Sequence, residues 1–248
     1  MRDLYLGLKF AFSYFSILPI KFTVNDDLSS KKVLASMLLF FPFVGLFLGA
    51  ITIGSFLLLE SLSWYGAILS ALLYMILYGF LHTEAVMDVA DAIYASHSGK
   101  DAYEVIKDPT VGAMGMLWSI GFILLKISGI VFLLMHHLFT PFIAVLIVSR
   151  LALLMLFYTQ TFKSSFATQL KSSLSTKYLL TAFSLFGIIG FLLTSIYFIT
   201  ILVAGLILAL IITLFIKSKI GFINGDVLGT TLESVEILLF ILVALLCL

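Results

Sequence analysis

The chain has 248 residues, 62% of them hydrophobic and 11% charged, with a net charge of +1 and a mean hydropathy of +1.22. Soluble domains carry roughly a quarter charged residues, so much of this surface must face lipid rather than water. No basic run suggests a nucleic-acid partner, and the single cysteine, Cys247, excludes a disulfide framework or a cysteine metal site.

In chain order, Met1-Arg2-Asp3 opens an amphipathic segment rather than a cleavable signal peptide. Tyr5–Ile20 is apolar but carries Lys9 and ends at Leu18-Pro19, which reads as an interfacial or re-entrant helix. A bilayer core about 30 Å thick takes about 20 apolar helical residues. Seven stretches meet or approach that length: Val33–Leu59, Trp64–Leu81, Val111–Met135, Pro141–Tyr158, Tyr178–Tyr197, Thr200–Ile216 and Gly229–Leu248. The expectation is an all-α, polytopic transmembrane bundle of these seven spans plus the N-terminal helix, forming one integral membrane domain over residues 1–248.

Lysine and arginine fix the expected orientation. Twelve fall on one side of this map, in the N-terminal segment and the loops at Lys100–Lys107, Lys163–Lys177 and Lys217–Lys219, and none on the other. The N-terminus is therefore expected in the cytoplasm and the C-terminus outside. Of thirteen acids, only Glu60 falls on the far side. An orientation rule based on cations does not require that concentration.

The densest polar stretch is His82-Thr83-Glu84-Ala85-Val86-Met87-Asp88-Val89-Ala90-Asp91-Ala92. Helical spacing puts Glu84, Asp88 and Asp91 within about 60° of arc. Like charges so placed repel by a few tenths of a kcal/mol per pair even in water. A divalent cation would neutralise them, and an all-oxygen set favours Mg²⁺ or Mn²⁺ over Zn²⁺; the plain alternative is a solvated helix face. His82 is open between helix entry, a phosphate ligand and a hydrogen-bonded interfacial histidine.

A second cluster is Lys107-Asp108-Pro109-Thr110-Val111-Gly112-Ala113-Met114-Gly115. Asp108 or Thr110 can cap the following helix, and Gly112 and Gly115 allow close approach of a helix or ligand. The third is Asn224-Gly225-Asp226-Val227-Leu228-Gly229, followed by Glu233 and Glu236. Asp226, Gly229, Glu233 and Glu236 share about 80° of one helix face. Acids inside a span must face protein, water or metal. Lys126 and Arg150 also lie within spans, as structural ion-pair partners or as phosphate contacts.

These residues resemble the cobalamin synthase family, the adenosylcobinamide-GDP ribazoletransferases. The family's His-Leu-Asp-Gly-x-x-Asp-x-x-Asp-Gly stretch matches His82–Ala92, its Met-Arg-Asp-Ser-Arg and Gly-x-x-Gly stretch matches Ile106–Gly115, and Gly-Asp-Val-Leu-Gly is intact at Gly225–Gly229. Leu18-Pro19 and Phe41-Pro42-Phe43-Val44-Gly45 with Gly49 match as well. Glu84 stands where the family has Asp, Ala85 and Ala92 replace glycines, and Pro109-Thr110 replaces Ser-Arg.

The resemblance implies a Mg²⁺-dependent transfer joining adenosylcobinamide-GDP to α-ribazole, or its 5′-phosphate, with release of GMP. It implies Glu84, Asp88, Asp91 and Asp226 as metal ligands, and Asp88, Asp91 and Asp108 as catalytic carboxylates. His82, Lys107, Gly112, Arg150, Asn224, Gly225 and Gly229 become substrate contacts. The expected setting is a bacterial or archaeal cytoplasmic membrane with the site facing the cytoplasm; membrane lipid is a partner and a homo-oligomer is left open. The competing readings are another membrane Mg²⁺ phosphotransferase, of the CDP-alcohol or prenyl-diphosphate type, whose motifs are spaced differently, and an ion-coupled transporter. The one-sided acids and the lack of a repeat disfavour transport.

Overall fold

A computed structural model describes residues 2–247, which fold into helices connected by short loops. Leu248, the last residue of the seventh expected span, lies outside the described residues.

Helix α1 (Arg2–Phe15) stops where Pro19 disfavours helical backbone just ahead of it, five residues before the expected end at Ile20. The expected first span is two helices, α2 (Lys31–Leu39) and α3 (Phe41–Leu58), broken at Phe40. Pro42 is the cause: it has no amide hydrogen for the carbonyl four residues back, and its ring crowds that position. Helix α4 (Trp64–Leu77) has only 14 residues, roughly 21 Å, too short to cross the core by itself. After Tyr78-Gly79-Phe80, with Gly79 at φ +68° and Phe80 at φ +53°, the chain turns by 78° into α5 (Leu81–His97). The acid-rich stretch is therefore a helix set across its neighbour.

The short α6 (Ala102–Lys107) leads to α7 (Ala113–Met135) and α8 (Phe139–Thr159). Helix α9 (Ser165–Ser173) is again short, and α10 (Thr176–Thr194), α11 (Tyr197–Ile220) and α12 (Gly225–Cys247) complete the bundle. Among the described residues six helices, α3, α7, α8, α10, α11 and α12, are long and apolar enough to cross a membrane, and the bent α4–α5 pair adds a seventh if it forms one broken span. The chain is an integral membrane protein by this measure.

Burial divides the six. Most of α8 and α12 is enclosed, 78% and 72% of their apolar windows, whereas α7, α10 and α11 bury under a third. A helix apolar all round belongs inside a bundle or in lipid; α8 is the first case and α10 the second. Close approach to α8 relies on small residues. A Cβ on Gly45 of α3 would run into the Arg150 side chain, and one on Gly205 of α11 into Val148.

The centre holds a charged network in this otherwise apolar interior. On α12, Glu236 takes an ion pair from Arg150 of α8 and another from Lys126 of α7, the latter at 2.8 Å. Lys126 also reaches Glu233 at 2.7 Å. Arg150 donates to the Tyr74 hydroxyl of α4 at 3.1 Å, and Ser149 Oγ donates to Glu236 at 3.1 Å. Two cations and two anions cancel, so four helices share one neutral knot. Glu233 Oε1 and Arg150 Nε find no partner among the described residues.

Removing one member of a buried ion pair leaves an uncompensated charge and costs about 3–5 kcal/mol. Lys126→Met should lower the unfolding transition in detergent accordingly. Lys126→Met combined with Glu233→Met leaves the Arg150–Glu236 pair balanced and should recover most of the loss. Equal destabilisation in both variants, measured by thermal unfolding, would show that charge balance is not what holds the knot.

Candidate active site

Where α12 begins, Asn224 organises the backbone. Its Oδ1 accepts from the Val227 amide at 3.1 Å, satisfying one free donor of the helix start, and its Nδ2 donates to Asp226 at 2.7 Å. Val227 and Leu228 are buried in the core while Asp226 stays half-buried and open to a cleft. One turn on, Gly229 lies against Ala85 of α5, and Thr230 Oγ1 donates to the Ala85 carbonyl at 2.9 Å. The Gly225–Gly229 motif thus joins a helix start, an acid, two core anchors and a crossing point with the acid-bearing helix.

The cleft has a volume of about 430 Å³. Its floor is aromatic and aliphatic, with Phe15, Phe41, Leu153 and Phe157. His82 is buried in the wall with its ring stacked on Tyr78, 5.8 Å between centroids. Asn224, Gly225, Asp226 and Gly229 also line the cleft, as do Tyr103 and Lys107 of α6. Lys163, Ser164 and Ser165, ahead of and at the start of α9, close the rim.

The acids of α5 have three different surroundings. Asp91 is tied down: its Oδ2 accepts from the Gly112 amide and its Oδ1 from the Gly115 amide, each at 2.7 Å. A Cβ at either glycine would collide with this carboxylate. Gly112 and Gly115 therefore make room for an acid that caps α7, a favourable place for negative charge. Asp88 is half-buried, and Glu84 is exposed; neither accepts a hydrogen bond from the described residues. The charges of Asp226, Glu84 and Asp91 all act on Asp88, and that of Glu84 acts on Asp226. The acidic face of α5 and the start of α12 therefore share one electrostatic neighbourhood.

Asp108 lies outside this group. It is exposed, accepts from Thr110 N at 2.9 Å and Thr110 Oγ1 at 2.7 Å, and those bonds hold its carboxyl below the usual range. Arg150, expected to touch substrate, is engaged by Glu236, Tyr74 and the Leu146 carbonyl and does not line the cleft. Glu233 and Glu236 share a face with Asp226 in the sequence, but their counter-charges are Lys126 and Arg150. Tyr14, Tyr103 and the Lys163–Ser165 run are cleft residues that motif reading passed over. The signal available was a polar Lys-Ser-Ser run between spans, which served only to mark topology.

No group of three His, Cys, Asp or Glu side chains among the described residues is gathered closely enough to cage a metal ion. Glu84, Asp88 and Asp226 nevertheless supply carboxylate oxygens with no cationic partner, which fits a hard cation. Mg²⁺ characteristically takes one or two carboxylates and keeps several waters, so a full cage is not required.

The comparisons with known proteins agree over nearly the whole length. The family model described as cobalamin-5-phosphate synthase matches residues 7–245. An adenosylcobinamide-GDP ribazoletransferase of Clostridium perfringens is 28% identical over 95% of this chain and 96% of its own. One from Chlorobium chlorochromatii is 31% identical over 97% and 96%, and one from Brevibacillus brevis 28% over 94% and 96%. No solved structure matches. This helical membrane bundle, matched over nearly its whole length by the family model and by these transferases, belongs to the cobalamin-5-phosphate synthase family.

Proposed function

We propose that the chain joins adenosylcobinamide-GDP to α-ribazole, or to α-ribazole 5′-phosphate, releasing GMP. The observation that carries this reading is the meeting of the α5 acids with Asp226 beside a polar-rimmed cleft, in a chain that matches ribazoletransferases throughout. The ribose hydroxyl oxygen forms a bond to the phosphorus that carries cobinamide, the phosphoanhydride bond to GMP breaks, and the hydroxyl proton passes to a carboxylate.

Phosphoryl transfer asks a protein chiefly for positioning and charge stabilisation. One or two carboxylates from among Glu84, Asp88 and Asp226 would hold Mg²⁺ directly, with waters completing its shell, and the ion when bound would neutralise charge on the diphosphate and its departing oxygen. Asp91 fixes the start of α7 against α5 and so holds the acidic row in register. Asp88, half-buried and free of hydrogen bonds, is the carboxylate best suited to accept the hydroxyl proton. His82 and Asn224 shape the wall against which the substrate lies, and the apolar floor suits the uncharged parts of a large ligand. The natural setting is the cytoplasmic membrane, with the site and the N-terminus on the cytoplasmic side, as the twelve one-sided cations favour.

Purified protein in lipid, supplied with adenosylcobinamide-GDP, α-ribazole and Mg²⁺, should release GMP, and chelation should stop it reversibly. Folded protein that releases none would refute the reading. Asp88→Asn should lower turnover at least about 100-fold while leaving stability equal or higher, because it relieves repulsion among carboxylates. Asp91→Ala should lose both activity and about 1 kcal/mol of stability, as a lost helix cap does. An Asp88→Asn protein with wild-type turnover would move the chemistry elsewhere. Orientation is checked with Lys100→Cys and Lys171→Cys in cells, which should react with an impermeant thiol reagent only after permeabilisation. Labelling in intact cells would invert the topology.

A further inference from the structure

The lining of the cleft also carries two lysines. Lys107 closes α6 and Lys163 precedes α9, and both line the cavity. Their ammonium groups rest on the same ring, that of Tyr103, at 4.0 and 3.8 Å from its centroid. Lys163 also lies 5.1 Å from the ring of Phe222, which meets Tyr103 edge-on at 5.2 Å. The Lys163 amide donates to the Ile223 carbonyl at 2.8 Å, so this loop is fastened to the residue before Asn224.

Neither lysine has a carboxylate within ion-pair distance among the described residues. A ring face attracts a cation, but one ring does not neutralise two. Both lysines are exposed and share one aromatic ring in the lining of the cleft, so an anion entering the cleft is attracted by two positive charges. Ser165 adds a hydroxyl at the same rim that makes no hydrogen bond among the described residues. The same lining holds one acid, Asp226, and neither lysine pairs with it.

We propose that Lys107 and Lys163, seated on Tyr103, form a phosphate-binding subsite that receives a phosphate or diphosphate group of a substrate. An ammonium on a flexible stem is a common phosphate partner, and two such stems in one cleft lining suit a doubly charged anion. The source is the diphosphate of the nucleotide donor or a 5′-phosphate on the acceptor; only that choice of substrates rests on the transferase reading above.

The test uses the full-length protein in lipid, with Lys107→Gln, Lys163→Gln and the double variant, each verified as folded by thermal unfolding. Each single variant should raise the KM of one phosphate-bearing substrate at least about tenfold, the loss expected for a charge-assisted hydrogen bond. Lys163→Arg should stay within about threefold of wild type. A rise confined to adenosylcobinamide-GDP assigns the donor diphosphate. A rise seen with α-ribazole 5′-phosphate but not with α-ribazole assigns the acceptor phosphate. Unchanged KM values for the donor and both acceptors overturn the subsite. In parallel, calorimetric titration with inorganic pyrophosphate, without divalent ions, should give binding to wild type and none to the double variant. Equal binding to both also overturns it, and this measurement decides the subsite even if wild type releases no GMP.

Discussion

A carboxylate close to hydrocarbon must find a counter-charge, and that constraint arranges this molecule. Helices α5 and α12 carry six acids between them, in three different situations. Glu233 and Glu236, deeper along the helix, are balanced by Lys126 and Arg150. Asp91 is held by two backbone amides at the start of α7. Among the described residues Asp226 accepts a side-chain hydrogen bond from Asn224 alone, and no cation forms an ion pair with it, Glu84 or Asp88. The residues already neutralised support the fold; those left over are free to act on something that arrives.

The balanced knot also sets the geometry of the unbalanced group. It fastens α12 to α4, α7 and α8, while Gly229 and Thr230 seat the same helix on α5. Rotation of α12 would break both sets of contacts, so Asp226 is delivered to the α5 acids by two independent attachments. Phosphoryl transfer benefits from this rigidity, because its catalysis depends on placing charge rather than on covalent chemistry.

Much of this was legible in the sequence. Hydropathy located the spans, and helical spacing placed Glu84 and Asp88 on one face with Asp91. Hydropathy did not show that Pro42 splits the first span or that α4 stops short and turns into α5, because a window average is blind to one missing amide and two residues with positive φ. Nor could spacing separate Asp226 from Glu233 and Glu236: they share a helix face, and only the cations brought by α7 and α8 distinguish them. Gly112 and Gly115 read as room for a helix or a ligand, and what they admit is helix α5 with its Asp91 carboxylate. Lys163 was invisible as a cleft residue because its partners, Tyr103 and Phe222, lie 60 and 59 positions away in sequence.

The central claim is that Glu84, Asp88 and Asp226 form one negative group that a divalent cation neutralises. Ligand binding to the folded state stabilises by mass action, about 2.7 kcal/mol at a hundredfold excess over Kd, or several degrees for a chain of this size. The direct measurement is the unfolding temperature of detergent-solubilised protein across a Mg²⁺ titration, for wild type, Asp88→Asn and Asp226→Asn. The account expects the wild-type transition to rise with Mg²⁺ and both variants to respond weakly or not at all. An unresponsive wild type, or variants that rise as far as it does, would contradict it.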